Sequence, residues 1–456
     1  MFAPVCVVLS HAGAHPPCLP VDPVSVLLAP DLAEYDRFGS GLAAGDGVVV
    51  AGSFPFDTRF GALPKVYVFD VSDPSSPVWL RSFRPESDGA NDGFGFNLAV
   101  SNGIVVSSAS ADDQAGHLAG AVYLYDAWSG QLLNMFAAPD TGIGDRFGSA
   151  VAMGGTLLAV GAEQADQAGG TSGVVYVFDI NDPEEPVLLY RLKPDIPDAS
   201  TRRFGAALDI DGTDLIVGTS AGIEPGTAFL FDLNTGEQRH RWSSGLDLGA
   251  DSFGSAVAVR NGRAAVGAWY EINGFSVAGA VYVFDTATGD FLYRLVGDDP
   301  PSDGTPQGFG ISVDLDNEHL LVGTLADTDQ QTRMLKVYLF DAATGARRST
   351  LFNKRGEPSW FGYRVSLMDG YAVISSLRDS MVERWAGAVQ IFAAHSADPC
   401  PADFAEPSCV LDLADLVAFV TLFQAQDPAS DFAPPYGTFD LADVEAFVDM
   451  FEAGCP

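Results

Sequence analysis

Basic residues are scarce in this chain. Its 456 residues include 24 lysines and arginines against 60 aspartates and glutamates, a formal charge of −36. A surface of that sign repels phosphate backbones and anionic headgroups, which argues against nucleic acid and acidic membrane surfaces as partners. Long apolar runs are also missing. Nothing approaches the roughly 18 consecutive apolar residues of a transmembrane helix. The six histidines (11, 15, 117, 240, 319 and 395) fall in no H-E-x-x-H or similar metal spacing and are read as loop or surface residues. Cysteine is limited to five residues. Sustained helical periodicity is absent from residues 24–393, so that region is not built of helices. The N-terminus has an apolar run, Phe2 to Leu9, then Ala12-Gly13-Ala14, but no basic residue before Arg37. Residues 1–23 are read as a candidate leader that lacks the usual basic start.

Turn formers and apolar residues are abundant: 49 glycines, 28 prolines and 47% hydrophobic residues. They are organised by repetition. A Phe-Gly pair begins an apolar run at Phe38, Phe94, Phe147, Phe204, Phe253, Phe309 and Phe361, at spacings of 56, 53, 57, 49, 56 and 52 residues. A second phrase follows each pair: "KVYVFD" at 65–70, "AVYLYD", "VVYVFD", "TAFLFD", "AVYVFD", "KVYLFD" and finally "AVQIFA" at 388–393. Each unit reads as four short strands. The first starts at Phe-Gly, and a Gly, Asn or Asp turn leads to a second such as "TLLAVGA". A longer polar loop precedes the Val/Tyr/Phe-rich third strand. The closing Asp with "TATG" or "AATG" forms a hairpin turn into the fourth.

Units of about 50 residues with four strands each predict an all-β, seven-bladed β-propeller. One such sheet cannot bury both faces alone, so the units stack into a ring. The seventh lacks its fourth strand, and residues 24–30, which resemble the fourth strands elsewhere, are expected to supply it. That clasp closes the ring and protects two edges. The Phe is expected to wedge between blades, and the Gly to permit close backbone approach.

These phrases resemble FG-GAP repeats, the units of the integrin α-subunit N-terminal propeller and of many secreted bacterial proteins. The resemblance covers residues 24 to about 394. It implies an extracellular location and an adhesion or ligand-binding role. Calcium-binding members carry a D-x-D-x-D-G loop between the first two strands. Here the closest match is "DIDGTD", with Asp209, Asp211 and Asp214, too few and too closely spaced for the six to eight oxygen ligands of calcium.

Residues 398–456 form a second module with its own repeat, "ADFAEPSCVLDLADLVAFVTLF" (402–423) and "SDFAPPYGTFDLADVEAFVDMF" (430–451). Each copy reads as an Asp-containing loop before an amphipathic helix. Leu416, Phe419, Val420 and Phe423 form one apolar stripe, and Val444, Phe447, Val448 and Phe451 the other. The module resembles dockerin domains, paired EF-hand-like segments, in a bacterial C-terminal form bounded by cysteines. That resemblance implies an anchoring role, a Cys400–Cys455 disulfide, and calcium at Asp403, Asp412, Asp415, Asp431, Asp440 and Asp443. Two features depart from the pattern. Alanine and proline stand at the third and fifth ligand positions (Ala405, Pro407; Ala433, Pro435), and each loop has one residue more than the pattern. No other cofactor is expected.

"GTSAG" at 218–222 has the G-x-S-x-G spacing of a nucleophile elbow but lacks its strand–turn–helix setting, so Ser220 is not read as catalytic. The aspartates ending "VYVFD" are read as turn residues. No metal motif or perturbed acid pair on the propeller axis is visible in the sequence. The expected function is that of a secreted or cell-surface, non-enzymatic binding protein. Its long second-to-third-strand loops (53–64, 109–120, 162–173, 268–279 and 325–335) would meet an extracellular or envelope protein, and its tail would anchor it. The alternatives are a lectin-like propeller that binds a surface glycan, favoured if those loops expose aromatics beside acids, and a secreted hydrolase or lyase with its site in the channel.

Overall fold

Alternating β-branched and aromatic residues set the strands, and the turns between them set the order. The computed structural model describes residues 22–31, 33–55, 63–85, 92–165, 173–195, 203–219, 226–245, 251–273, 276–298, 307–325, 335–353, 360–380 and 383–394, together with 417, 419–421, 423 and 444. Residues 21–395 form one compact unit, and residues 396–456 belong to another.

The first unit contains seven four-stranded antiparallel sheets, six of them with their strands in chain order from the axis outward. The first blade is typical: inner strand Phe38–Gly45, second strand Val48–Ser53, third strand Lys65–Asp70 and outer strand Val78–Phe83. The last blade takes its outer strand from the N-terminal side. Ser25, Val26 and Leu27 pair with Ile391, Gln390 and Val389, so the expected clasp closes the ring.

Burial follows from the stacking. Second and third strands are covered on both faces and read as continuous apolar runs, as in "VVVAGS" and "VVYVFD". Outer strands are largely exposed. The cores lie between blades: Val106, Val122 and Leu124 of the second blade pack with Phe147, Val160 and Tyr176 of the third. All seven repeat phenylalanines are fully buried. Phe147 meets the Tyr176 ring edge-on with centroids 5.6 Å apart.

The glycine of the pair makes a backbone contact whose other half the sequence does not announce. A Cβ on Gly161, in the second strand of the third blade, would lie 2.0 Å from the carbonyl oxygen of Gly205, the Phe-Gly glycine of the fourth. The same pairing recurs between Gly52 and Gly95, Gly218 and Gly254, Gly267 and Gly310, and Gly323 and Gly362. The "VGA" phrase and the Phe-Gly phrase are thus two sides of one inter-blade contact. The inner strand begins at its Phe in the first, third, fifth and seventh blades, with a bulge just after it. In the others it begins later, at Leu98, Ala207 and Val313, and Phe-Gly sits in the preceding turn. There the bulge has widened into a turn, which corrects the expectation that every inner strand starts at Phe-Gly.

In the second unit, Val417, Phe419–Thr421, Phe423 and Val444 are helical. Phe419 is buried and its ring lies 5.7 Å from that of Phe423. Val420 of the expected stripe is exposed. No helix among the described residues is long and apolar enough to cross a membrane.

Candidate binding face

All second-to-third-strand loops leave the same face of the ring, because every blade runs its strands in the same order. Four of them share a closed neck. The amides of Gly120, Gly173, Gly279 and Gly387 donate to the carbonyls of Asp112, Ala165, Glu271 and Asp379, at 3.0, 3.2, 3.0 and 3.1 Å. Acids at these necks point inward. Asp112 accepts the Tyr123 hydroxyl at 3.0 Å, and Glu271 accepts that of Tyr282 at 2.7 Å and ion-pairs with Arg294. The linkers entering the first and third blades use acids the same way: Asp31 accepts the Tyr67 hydroxyl and Asp140 that of Tyr176, both at 2.8 Å. Much of the acidity on this face therefore holds the loops in place.

An arginine–aromatic network occupies the same face where the last blade meets the first two. Arg378, in the last blade's loop, lies over the Trp360 ring at 3.9 Å and the Trp385 ring at 4.7 Å. Arg384 lies over Trp385 at 5.2 Å and Tyr35 at 5.8 Å, and Arg37 over Trp360 at 5.7 Å. Trp360 stacks on Tyr363 at 6.0 Å, and Arg364 bridges Tyr363 and Phe96 at 5.3 and 5.2 Å. The two tryptophans are half-buried and Arg384 is exposed. No carboxylate among the described residues forms an ion pair with Arg364, Arg378 or Arg384. Burial, and then the nearby charge of Arg378, hold the pKa of Arg37 below its ordinary value.

The inner strands enclose a central channel of about 640 Å³. Asp209 and Asp314, on the fourth and sixth blades, line it together with Arg260 and Arg364. Asp209 accepts the amides of Ile210 at 2.9 Å and Val259 at 2.7 Å; Asp314 accepts those of Leu315 at 2.8 Å and Leu367 at 2.7 Å. Burial, and then the charge of Asp314, push Asp209 up to about 7. Burial pushes Asp314 up to about 6. This is a perturbed acid pair near the axis, where none is visible in the sequence. A signal is nevertheless present: both residues stand five places after their Phe, where four other blades have alanine and the seventh has Ser366.

The other candidate residues resolve individually. Asp211 accepts the Asn261 amide at 2.7 Å and pairs with Arg260 at 3.3 Å, while Asp214 pairs with Arg239. With Asp209 engaged as above, the three acids of "DIDGTD" serve three separate partners. Among the described residues, no three His, Cys, Asp or Glu side chains gather as metal ligands. The third-strand aspartates do cap turns. Asp285 accepts the amides of Ala287 and Thr288 at 2.9 and 2.8 Å, and Asp341 those of Ala343 and Thr344 at 3.0 and 2.8 Å. His319 departs from expectation. It is buried on the second strand of the sixth blade, with Nδ1 3.1 Å from Asp316. Ser220, the tail acids Asp403, Asp412, Asp415, Asp431, Asp440 and Asp443, and Cys400 and Cys455 lie outside the described residues.

A family model described as FG-GAP repeat matches residues 134–178, from the outer strand of the second blade through the third strand of the next. No curated protein matches the sequence. Among solved structures, the WD40 domain of Neurospora crassa Pan2 is similar, with a TM-score of 0.53 and 12% identity over 83% of this chain and 97% of that chain. Saccharomyces cerevisiae Sqt1 matches with a TM-score of 0.47 and 10% identity, over 82% of this chain and 99% of that one. At 12% identity the likeness to the Pan2 domain is one of fold. The class is clear from the sheets: a seven-bladed β-propeller that carries an FG-GAP repeat.

Proposed function

We propose that this chain is a secreted or cell-surface, non-enzymatic binding protein. Its loop face engages a protein partner, and residues 398–456 form a dockerin-like module that anchors it. The observation that carries this reading is the arginine–aromatic network. Tryptophan, tyrosine and arginine are the residue types that dominate binding hot spots, and here both tryptophans are half-buried within one cluster of them. A propeller with FG-GAP repeats fits a binding or adhesion role, and such repeats are typical of extracellular proteins. The raised acid pair Asp209 and Asp314 is what the hydrolase or lyase alternative would use, although the oxygens of both already accept blade-joining amides. In the tail, the Cys400–Cys455 disulfide and calcium at the six aspartates remain part of the dockerin reading.

The test is affinity capture from native secreted and envelope material. The baits are the full chain, a chain ending before residue 398, and a full chain carrying Trp360→Gly with Arg378→Gln. Capture lost in the double variant but kept without the tail supports the loop face as the binding site. Capture that survives the double variant and disappears with the tail would transfer the binding function to the tail. A glycan as the captured species would instead favour the lectin-like reading, which the neighbouring Trp360 and Trp385 rings support.

A further inference from the structure

We infer that the arginine–aromatic network is a docking surface for an acidic, carboxylate-rich segment of a partner polypeptide. The inference rests on the loop face being the binding face and adds the chemistry of what it binds.

Charge is the first reason. In a chain of −36, seven of the twelve described arginines outside the network pair with acids, among them Arg191 with Asp140, Arg294 with Glu271, Arg347 with Asp298 and Arg348 with Asp341. Arg378 and Arg384 instead lie over tryptophan and tyrosine rings. A stacked guanidinium keeps its in-plane N–H donors for a second partner, and that fork matches a carboxylate bidentately. Arg37 and Arg378 both lie over the Trp360 ring, which gathers positive charge at one place on this face. The rim acids Glu34 and Glu383 are exposed and form no ion pair with these arginines.

Backbone conformation is the second. Trp360 stands just before a Phe-Gly pair with φ of 52°, and Arg37 holds the equivalent place with φ of 50°. The second and sixth blades place Gly93 and Gly308 there, at φ of 83° and 64°, while the third, fourth and fifth carry Arg146, Arg203 and Ser252 at 57°, 57° and 56°. The fold therefore accepts glycine, and a side chain in the left-handed region costs roughly 1–2 kcal/mol. Trp360 is the one aromatic among the five side chains held at this position.

Side-chain chemistry favours a polypeptide over a sugar. Among the described residues the members of the network are cations and rings, and the exposed carboxylates Glu34 and Glu383 stand at its rim. Acidic side chains flanked by apolar ones suit it on both counts.

The experiment is fluorescence anisotropy of the full chain with three labelled probes: an Asp/Glu-rich peptide with interspersed leucines, its Asn/Gln counterpart, and an oligogalacturonate. The acidic peptide is expected to bind at least tenfold more tightly than the amide peptide and to weaken as salt rises. Arg378→Gln with Arg384→Gln, and separately Trp360→Gly, should each weaken it at least fivefold. The charge-matched control, Arg239→Gln with Arg348→Gln, should leave it within twofold. Trp360→Gly keeps the backbone conformation accessible, and thermal unfolding verifies that each variant folds. Equal binding of the two peptides, indifference to the network substitutions, or binding of the oligogalacturonate alone each overturns the inference. If the acidic peptide fails while capture of the native partner is still lost in Trp360→Gly, the acidic-segment inference falls and the loop-face reading stands. If capture is also unaffected, both fall.

Discussion

The carboxylate of Asp209 accepts the amide of Val259 across 2.7 Å, joining the inner strand of the fourth blade to that of the fifth. Asp314 does the same for Leu367, also at 2.7 Å, between the sixth and seventh. Two inter-blade links on the channel wall are therefore made by groups whose ionisation the fold disfavours.

A pH dependence follows. The ordinary value for either carboxyl is 3.8, and the folded values are about 7 for Asp209 and about 6 for Asp314. Between those limits the folded chain holds more protons than the unfolded chain. Stability from this pair therefore falls as pH rises from about 4 to about 7 and is level beyond that range. A tenfold difference in proton affinity between the folded and unfolded chains corresponds to about 1.4 kcal/mol per group. Asp341 titrates outside this window: burial opposes its charge, but hydrogen bonds from Arg348 and Thr344 outweigh that and bring it to about 2. Urea midpoints measured between about pH 5 and pH 8 should decline in the native chain, and Asp209→Asn should flatten the decline. An identical slope in the variant would remove Asp209 as the cause.

The glycine contact between blades predicts an asymmetric mutational response. Gly161→Ala places a Cβ 2.0 Å from a backbone oxygen, so two blades must move apart. A loss of about 1–3 kcal/mol, the usual cost of overpacking, is expected. Gly155→Ala, at φ of 62° with nothing within 4 Å, should cost only the roughly 1 kcal/mol of its backbone strain. Chemical denaturation of the two variants decides the matter, and equal losses would mean that the contact at Gly161 is not tight.

The strand that closes the ring is three residues long. Val26→Pro fixes φ and removes an amide within Ser25–Leu27, leaving Ala388–Ala393 as an uncovered edge. The variant should unfold at a lower temperature and self-associate, as read by light scattering after size exclusion. A monomer of unchanged melting temperature would show that the ring closes without the clasp.

For the tail, the calcium reading predicts heat on titrating calcium into the full chain, lost in Asp403→Ala with Asp431→Ala. The propeller itself should melt at the same temperature with chelator as without. A titration without heat, or one unaffected by the two substitutions, counts against calcium at these loops.

Much of the propeller is legible in the sequence because repetition converts weak local signals into a strong one. Seven copies of Phe-Gly and of the "VYVFD" phrase carry the blade count, the strand order and the closing strand at Ser25–Leu27. Alternation and turn chemistry are local, so the outer strands and the Asp-capped turns are readable as well. The binding face is legible only as a set of long loops. Trp360, Trp385, Arg378 and Arg37 are scattered through the sequence, and no spacing rule connects them. The burial of His319 escapes a reading of the sequence because a lone polar residue gives no sign of the Asp316 beside it in space.

The sequence by itself determined the repeat, hence the ring. Each blade has two apolar faces that only neighbouring blades can cover, and a chain with seven such units and a spare strand has one economical way to bury them. Only the tertiary structure decided what the ring presents. Closing it brings residue 37 beside residue 378 and faces Asp209 and Asp314 into one channel. Coulomb and stacking interactions depend on separation in space, which for these pairs the order of residues along the chain does not encode.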